Sequence, residues 1–237
     1  MTQAEDRDQV RENARGEHRL PAAIATIAAM LLYGFLPNDV QPLWIRLTIV
    51  AIAAVLLACI LVVNPLRTHR NTQTFRVASL ALAALLVGAN LIALGHTIVL
   101  LVTTKPGDGP ELLAAAAQVW ATNFIAFSLL FWELDRGGPA ARRQRRRSEL
   151  PPADFRFPQD EDDDTSAEVS EQSGPVSNWR PSYVDYWYDA AVTSMSFGPG
   201  AGIPLRPRAK ILATAQGLMS FVLVTLVIAH AVGALGA

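Results

Sequence analysis

The chain has 237 residues, 51% of them hydrophobic and only 17% charged, with a mean hydropathy of +0.25 and a formal net charge of −1. A soluble domain carries about a quarter charged residues, so this composition points away from a soluble globular protein and towards an integral membrane protein. The single cysteine, Cys59, excludes an intrachain disulfide and a cysteine-based metal cage.

Residues 1–19 mix charges of both signs and read as a polar N-terminal tail, with an amphipathic surface helix as one form of it. No convincing small-residue cleavage site follows, so the first apolar run, Leu20 to Leu36, is read as a retained helix near the lower length limit for a span. Pro37-Asn38-Asp39 signals a turn. The second run is Leu43 to Val63, with Arg46 placed to snorkel to the headgroups beside Trp44. A short loop from Asn64 to Arg76 carries Arg67, His69, Arg70 and Arg76 and no acid. Val77 to Val102 is the third and longest run, Thr103 to Glu111 a turn, Leu112 to Trp132 the fourth run, and Ile211 to about Ala234 the fifth. The first four form a membrane region over residues 20–135.

Residues 136–180 differ in character. Arg136 and the cluster Arg142, Arg143, Arg145, Arg146 and Arg147 follow the fourth run directly. After Pro151-Pro152 and Phe155-Arg156-Phe157-Pro158, the run Asp160-Glu161-Asp162-Asp163-Asp164 opens an acidic Ser/Gly/Pro-rich stretch to about Ser177, whose composition predicts disorder. The arginines read as a topology determinant and a contact for anionic lipid headgroups, and their place against a membrane helix argues against nucleic acid. If all five runs span, both basic loops fall on one side. The positive-inside rule puts that side, the N-terminus and residues 136–180 in the cytoplasm, and the C-terminus outside the cell membrane.

Residues 181–237 hold a short amphipathic helix from about Tyr183, a glycine-rich turn and the last apolar run. Tyr183, Tyr186, Trp187 and Tyr188 suit an interface between lipid and water. Irregular backbone at membrane depth survives only when buried in protein or lining a wet cavity. The turn Ser196-Phe197-Gly198-Pro199-Gly200, with Pro204 and Lys210 following, resembles the filter of the two-helix potassium-channel pore module. That resemblance implies backbone carbonyls from Ser196 to Gly200 facing an inorganic ion, a Ser196 hydroxyl where the filter has threonine, and glycines in left-handed conformations. Gln216 would stand on the pore wall and Gly217 would let the last helix bend. Pro199 and Ala201 depart from the filter's tyrosine and acid, so potassium selectivity does not carry over. The cytoplasmic placement also inverts the module, as in glutamate-receptor channels, or else the resemblance does not mean a pore. The alternative for the hairpin is simple packing.

More of the chain, about residues 112–235, resembles a group of uncharacterised bacterial membrane proteins. The resemblance rests on Trp132-Glu133-Leu134-Asp135-Arg136-Gly137-Gly138-Pro139, on Asp154-Phe155-Arg156-Phe157-Pro158-Gln159, and on the segment from Tyr186 to Lys210. It implies a fold and a homo-oligomer, a tetramer about a central axis, and no established activity.

Asn90, His96, Gln118, Asn123, Gln216 and His230 lie in or near spans and are expected to hydrogen-bond between helices. His96 and His230 are poor candidates for haem ligands because both sit toward helix ends. Glu133 and Asp135, beside Arg136, read as a solvated cap or ion-pair cluster. No HExxH, GxSxG, P-loop, GxGxxG or voltage-sensor arginine pattern is present, so no enzyme, metal site or cofactor is expected. The expected fold is all-α, with about five membrane helices and a re-entrant or interfacial half-helix before the last. The expected function is an oligomeric channel-like protein. The alternatives are a non-conducting scaffold displaying its acidic linker, and a small-molecule transporter with a cavity near Asn90, His96 and Asn123.

Overall fold

A computed structural model of the chain describes residues 19–63, 73–104, 110–161, 166–170, 173–174, 178–198 and 200–235. The N-terminal tail, the arginines of the 64–72 loop, the 105–109 turn, Asp162 to Asp164, Pro199 and Ala237 lie outside the described residues. The main helices are α1 (Leu20–Gly34), α2 (Leu43–Val63), α3 (Gln73–Thr103), α4 (Pro110–Leu134), α5 (Pro139–Gln144), α6 (Tyr183–Ser196) and α7 (Pro207–Leu235). Two short strands, β1 (Phe155–Arg156) and β2 (Ile203–Pro204), pair antiparallel, Phe155 opposite Pro204 and Arg156 opposite Ile203. The chain is an all-α, multi-pass membrane protein, in which α2, α3, α4 and α7 are long and apolar enough to cross a bilayer.

Helix α1, with Pro21 pre-setting its first turn, is shorter at 15 residues, about 22 Å. Its buried stripe of Ala22, Ala25, Thr26, Ala29 and Tyr33 presents mostly small side chains at helical spacing, which brings it close against α4. The guanidinium of Arg19 lies 5.8 Å from the ring centre of Trp132 near the end of α4, while Val40 lies by Leu112 near its start. So α1 and the turn that follows it run antiparallel to α4.

Arg46 does not snorkel. It is buried and donates to the carbonyls of Gly34 (2.9 Å) and Leu36 and to Asn38 Oδ1. The carbonyls at the end of α1 have no helical partner, and a cation one turn into α2 satisfies them.

Helix α4 is the centre of the bundle. Of its most apolar stretch, 61% is buried, against 22% for α2 and α7, which are therefore peripheral. Of the polar residues of the spans, Asn90, Asn123, Gln216 and His230 bond between helices and His96 bonds to the turn before α2. Asn90 Nδ2 donates to Asn123 Oδ1 (3.2 Å), and Asn123 Nδ2 donates to Ser220 Oγ (3.0 Å), tying α3 to α4 and α4 to α7. His96 Nδ1 meets Val40 O at 2.9 Å, and His230 Nδ1 meets Leu101 O at 3.3 Å, which sets the end of α7 beside the end of α3.

Residues 136–161 fold tightly on the end of the bundle instead of forming a loose start to a linker. Arg136, Gly137 and Gly138 all take positive φ and turn the chain sharply at the end of α4, a conformation glycine tolerates best. Phe155 and Phe157 alternate inward with Arg156 between them, and pack on Phe131, Tyr186 and Trp179.

Candidate functional site

The candidate site is α6, its turn and the head of α7. Pro181 is incompatible with a continuing helix upstream, and Ser182 starts α6 with a capping box, its N–H (2.7 Å) and Oγ (2.8 Å) both donating to Asp185 Oδ2. Fourteen residues make α6 about 21 Å long, too short to cross a bilayer core of about 30 Å. Its start is anchored near the end of α4, where Tyr183 stacks edge-on to Trp132 and its hydroxyl meets Ser128 Oγ at 2.9 Å. Its far end lies beside the middle of α7. Phe197 closes the helix in a left-handed conformation (φ 57°), its N–H on Thr193 O at 3.1 Å and its ring 5.4 Å from that of Phe221. Phe221 stands fourteen residues past Pro207, about 21 Å along α7. The chain then returns to β2, where Leu205 N donates to Asp154 O at 2.8 Å, and α7 begins.

Asp189 holds the returning strand. It is buried, and its Oδ1 accepts the Gly202 N–H at 2.7 Å. Any Cβ on Gly200 would lie 2.4 Å from Asp189 Oδ1 and 2.6 Å from its backbone oxygen, so this is a close approach only glycine allows. Burial pushes the Asp189 carboxyl up to about 6, with the Gly202 N–H pulling the other way. Gln216 braces the helix from the other side, its Nε2 donating to Ala190 O (2.6 Å) and Ser194 Oγ (3.0 Å).

Beneath the hairpin lies a buried polar knot centred on Asp135. Its Oδ1 accepts the N–H groups of Asp154 (2.6 Å) and Phe155 (3.2 Å), and its Oδ2 accepts the Tyr186 hydroxyl at 2.5 Å. Burial holds that phenol well above its ordinary pKa, so it stays the donor. Arg142 reaches into the same knot, Nη1 donating to Trp132 O and Asp135 O at 2.8 Å each, with its guanidinium carbon 5.0 Å from the Tyr186 ring centre. Asp154 in turn pairs with Arg208 at the head of α7 (Nε 2.6 Å, Nη2 2.5 Å). One carboxylate thus fastens the end of α4, the β1 segment and α6, and the next fastens α7.

Several sequence expectations change. Glu133 and Asp135 are buried, so they form no solvated cap, while Asp135 does pair with Arg136 (Oδ2 to Nε, 3.6 Å) as in the ion-pair alternative. Arg142 is fully buried and is no headgroup contact, because the unpaired carbonyls ending α4 claim it; Arg143 is half-buried, and Arg145, Arg146 and Arg147 are exposed. Tyr183 and Tyr186 are core residues, whereas Trp187 and Tyr188 are exposed. Ser196 is exposed, and its hydroxyl donates to Val192 O at 2.8 Å within its own helix. Gly198 is not left-handed, whereas Phe197 is. Gly198 meets nothing closer than Ser196 O at 3.9 Å, and Gly200 serves by close approach. Gln216 is buried against α6 and lines no open path, because the carbonyl of Ala190 engages its amide. Gly217 faces Thr193 and, with Phe197, Gly198, Lys210, Thr214 and Phe221, borders an open lateral groove of about 1010 Å³.

Among the described residues, no cluster of three His, Cys, Asp or Glu could hold a metal ion. No protein-family model, curated protein or solved structure matches the chain.

Proposed function

We propose that the protein is an oligomeric, channel-like protein of a bacterial cell membrane, with α6 as a re-entrant half-helix and an inorganic ion as its cargo. The observation that carries the reading is the path between Ser182 and Pro207. The chain enters beside the end of α4, turns at Phe197 level with the middle of α7, and returns to the same end. That path resembles the half-helix, turn and inner helix of the two-helix potassium-channel pore module, and an open groove flanks the turn where a neighbouring subunit would complete a path.

In this reading α1 is a fifth, short crossing, and subunits assemble about an axis, four in the module it resembles. The arginine-rich end faces the cytoplasm with the N-terminus and residues 136–180, and the C-terminus lies outside. The half-helix then enters from the cytoplasmic side. Arg143, Arg145, Arg146 and Arg147 meet anionic headgroups there. The path is lined by the turn from Phe197 to Gly200 and by Thr214 and Gly217, while Gln216 braces the half-helix. No catalytic step, cofactor or nucleic acid enters the reading.

Ion flux through proteoliposomes of purified protein tests it. Flux of at least one inorganic ion is expected, changed by Gly198→Ala, a substitution with room for its methyl. A folded protein that passes no inorganic ion overturns the channel reading and leaves the non-conducting scaffold.

A further inference from the structure

Beside the polar knot, a recess of about 300 Å³ opens at the end of α4, lined by Arg136, Arg142, Arg147, Arg180, Pro151 and Asp160. Four guanidinium groups thus face one carboxylate. Asp160 is committed to Arg136, Oδ2 to Nη2 at 2.6 Å. The other three arginines are held by neutral acceptors. Arg147 donates to Asn178 Oδ1 (3.2 Å) and Trp179 O, and Arg180 to Arg145 O (3.0 Å). Arg142 donates only to Trp132 O and Asp135 O. None of these three is ion-paired to a carboxylate among the described residues.

Burial sharpens the imbalance. Arg180 is only 7% exposed and Arg142 0%. Among the described residues, Arg180 Nε and Arg142 Nε and Nη2 have no hydrogen-bond partner. A buried guanidinium left with unmet donors costs free energy, and such sites are normally filled. Burial, and then the like charges of Arg147, Arg143 and Arg136, lower the Arg180 pKa to about 10. These side chains are therefore crowded against one another, with Asp160 as the carboxylate that lines the recess beside them.

We propose that this recess is a binding site for a phosphate-bearing anion, held mainly by Arg147 and Arg180 with Arg136 and Arg142 setting the field behind them. Guanidinium forks match the oxygens of a phosphate in pairs, and a recess with this charge excess suits a multiply charged group. Its place at the end of a membrane-length helix puts it at headgroup level, so the phosphate is that of an anionic phospholipid or a free phosphate. The site is independent of whether the protein conducts.

The test uses the full chain in detergent and in nanodiscs. Thermal melting is followed with inorganic phosphate, with acetate at matched ionic strength, and with phosphatidylglycerol against phosphatidylcholine. Phosphate or phosphatidylglycerol is expected to raise the melting temperature; a response to both assigns the shared phosphate, and a response to phosphatidylglycerol alone assigns the lipid. Arg180→Gln and Arg147→Gln are each expected to weaken that response at least tenfold in midpoint concentration, while Arg206→Gln, an exposed control, leaves it unchanged. Arg180→Gln is also expected to raise the melting temperature of the ligand-free protein, because it relieves repulsion; an arginine with a merely structural role would lower it. No response to either phosphate source, an equal response to acetate, or an unchanged response in both variants overturns the proposal. So does occupation by the chain's own acidic run, seen as phosphate binding that appears only after Asp162, Asp163 and Asp164 are changed to Asn.

Discussion

At the scale of single residues, two buried carboxylates that the sequence disguises, Asp135 and Asp189, hold the hairpin in place. Asp135 sits in a charged stretch, Glu133-Leu134-Asp135-Arg136, that looks solvated, and its partners Asp154, Phe155 and Tyr186 are 19, 20 and 51 positions away. No local pattern carries such spacing, although Gly137-Gly138-Pro139 holds a turn signal that the charged composition overshadowed. Asp135→Ala strands the Tyr186 hydroxyl and two backbone N–H groups beside a buried Arg142. It is expected to cost about 3–5 kcal/mol, read as a loss of melting temperature in detergent. Tyr186→Phe, which removes one donor, is expected to cost only about 1–2 kcal/mol on the same measurement. For Asp189 the prediction concerns pH. Its carboxyl is raised from 3.8 to about 6, so the folded state holds the proton longer than the unfolded state. Stability is therefore greatest at low pH and falls as pH rises through the window from about 4 to about 6, by roughly 2–3 kcal/mol. Asp189→Asn keeps the oxygen that accepts the Gly202 N–H and is expected to flatten that dependence in melts taken across the window.

At the scale of elements, the long helices were legible because a bilayer demands long uncharged runs, and α2 matches its expected bounds from Leu43 to Val63. Helix α3 starts at Gln73, earlier than its apolar run, because polar residues continue a helix once it is nucleated. The half-helix was legible from Tyr183 onward; the capping pair Ser182 and Asp185 that fixes its start was not read from the sequence. What composition hid was the fold of residues 136–161. Charge and proline dominated the reading, while the period-2 alternation of Phe155-Arg156-Phe157 held the strand signal. The roles inside the turn were misjudged for another reason. Glycine was read as a source of left-handed backbone, yet at Gly200 its value is the missing Cβ. Arg46 shows the same gap between composition and geometry. Near a span start it reads as a headgroup anchor, but the end of α1 folds over it. Arg46→Met keeps the aliphatic packing and strands the carbonyls of Gly34 and Leu36. It is expected to cost about 1–3 kcal/mol, measured by denaturant or thermal unfolding in detergent, where a headgroup anchor would change little.

At the scale of the whole molecule, α4 organises everything else. The α1 stripe, the Asn90–Asn123–Ser220 chain of hydrogen bonds and the start of α6 all meet on it. The peripheral α7 leaves Leu218, Phe221, Ile228 and Val232 uncovered, and the groove beside the turn opens on the same side of the hairpin as Phe221. These features make the turn from Ser196 to Gly200 the point at which the channel reading stands or falls. The most direct measurement is block of ion flux at that turn. In a Cys59→Ala background, Ser196→Cys is exposed to a charged, membrane-impermeant thiol reagent from the cytoplasmic, arginine-rich side, with Val55→Cys, exposed on α2 away from the groove, as the control. The reagent is expected to abolish most of the flux at position 196 and to leave it intact at position 55. Labelling at position 196 with flux unchanged, or labelling there only from the opposite side, would contradict it.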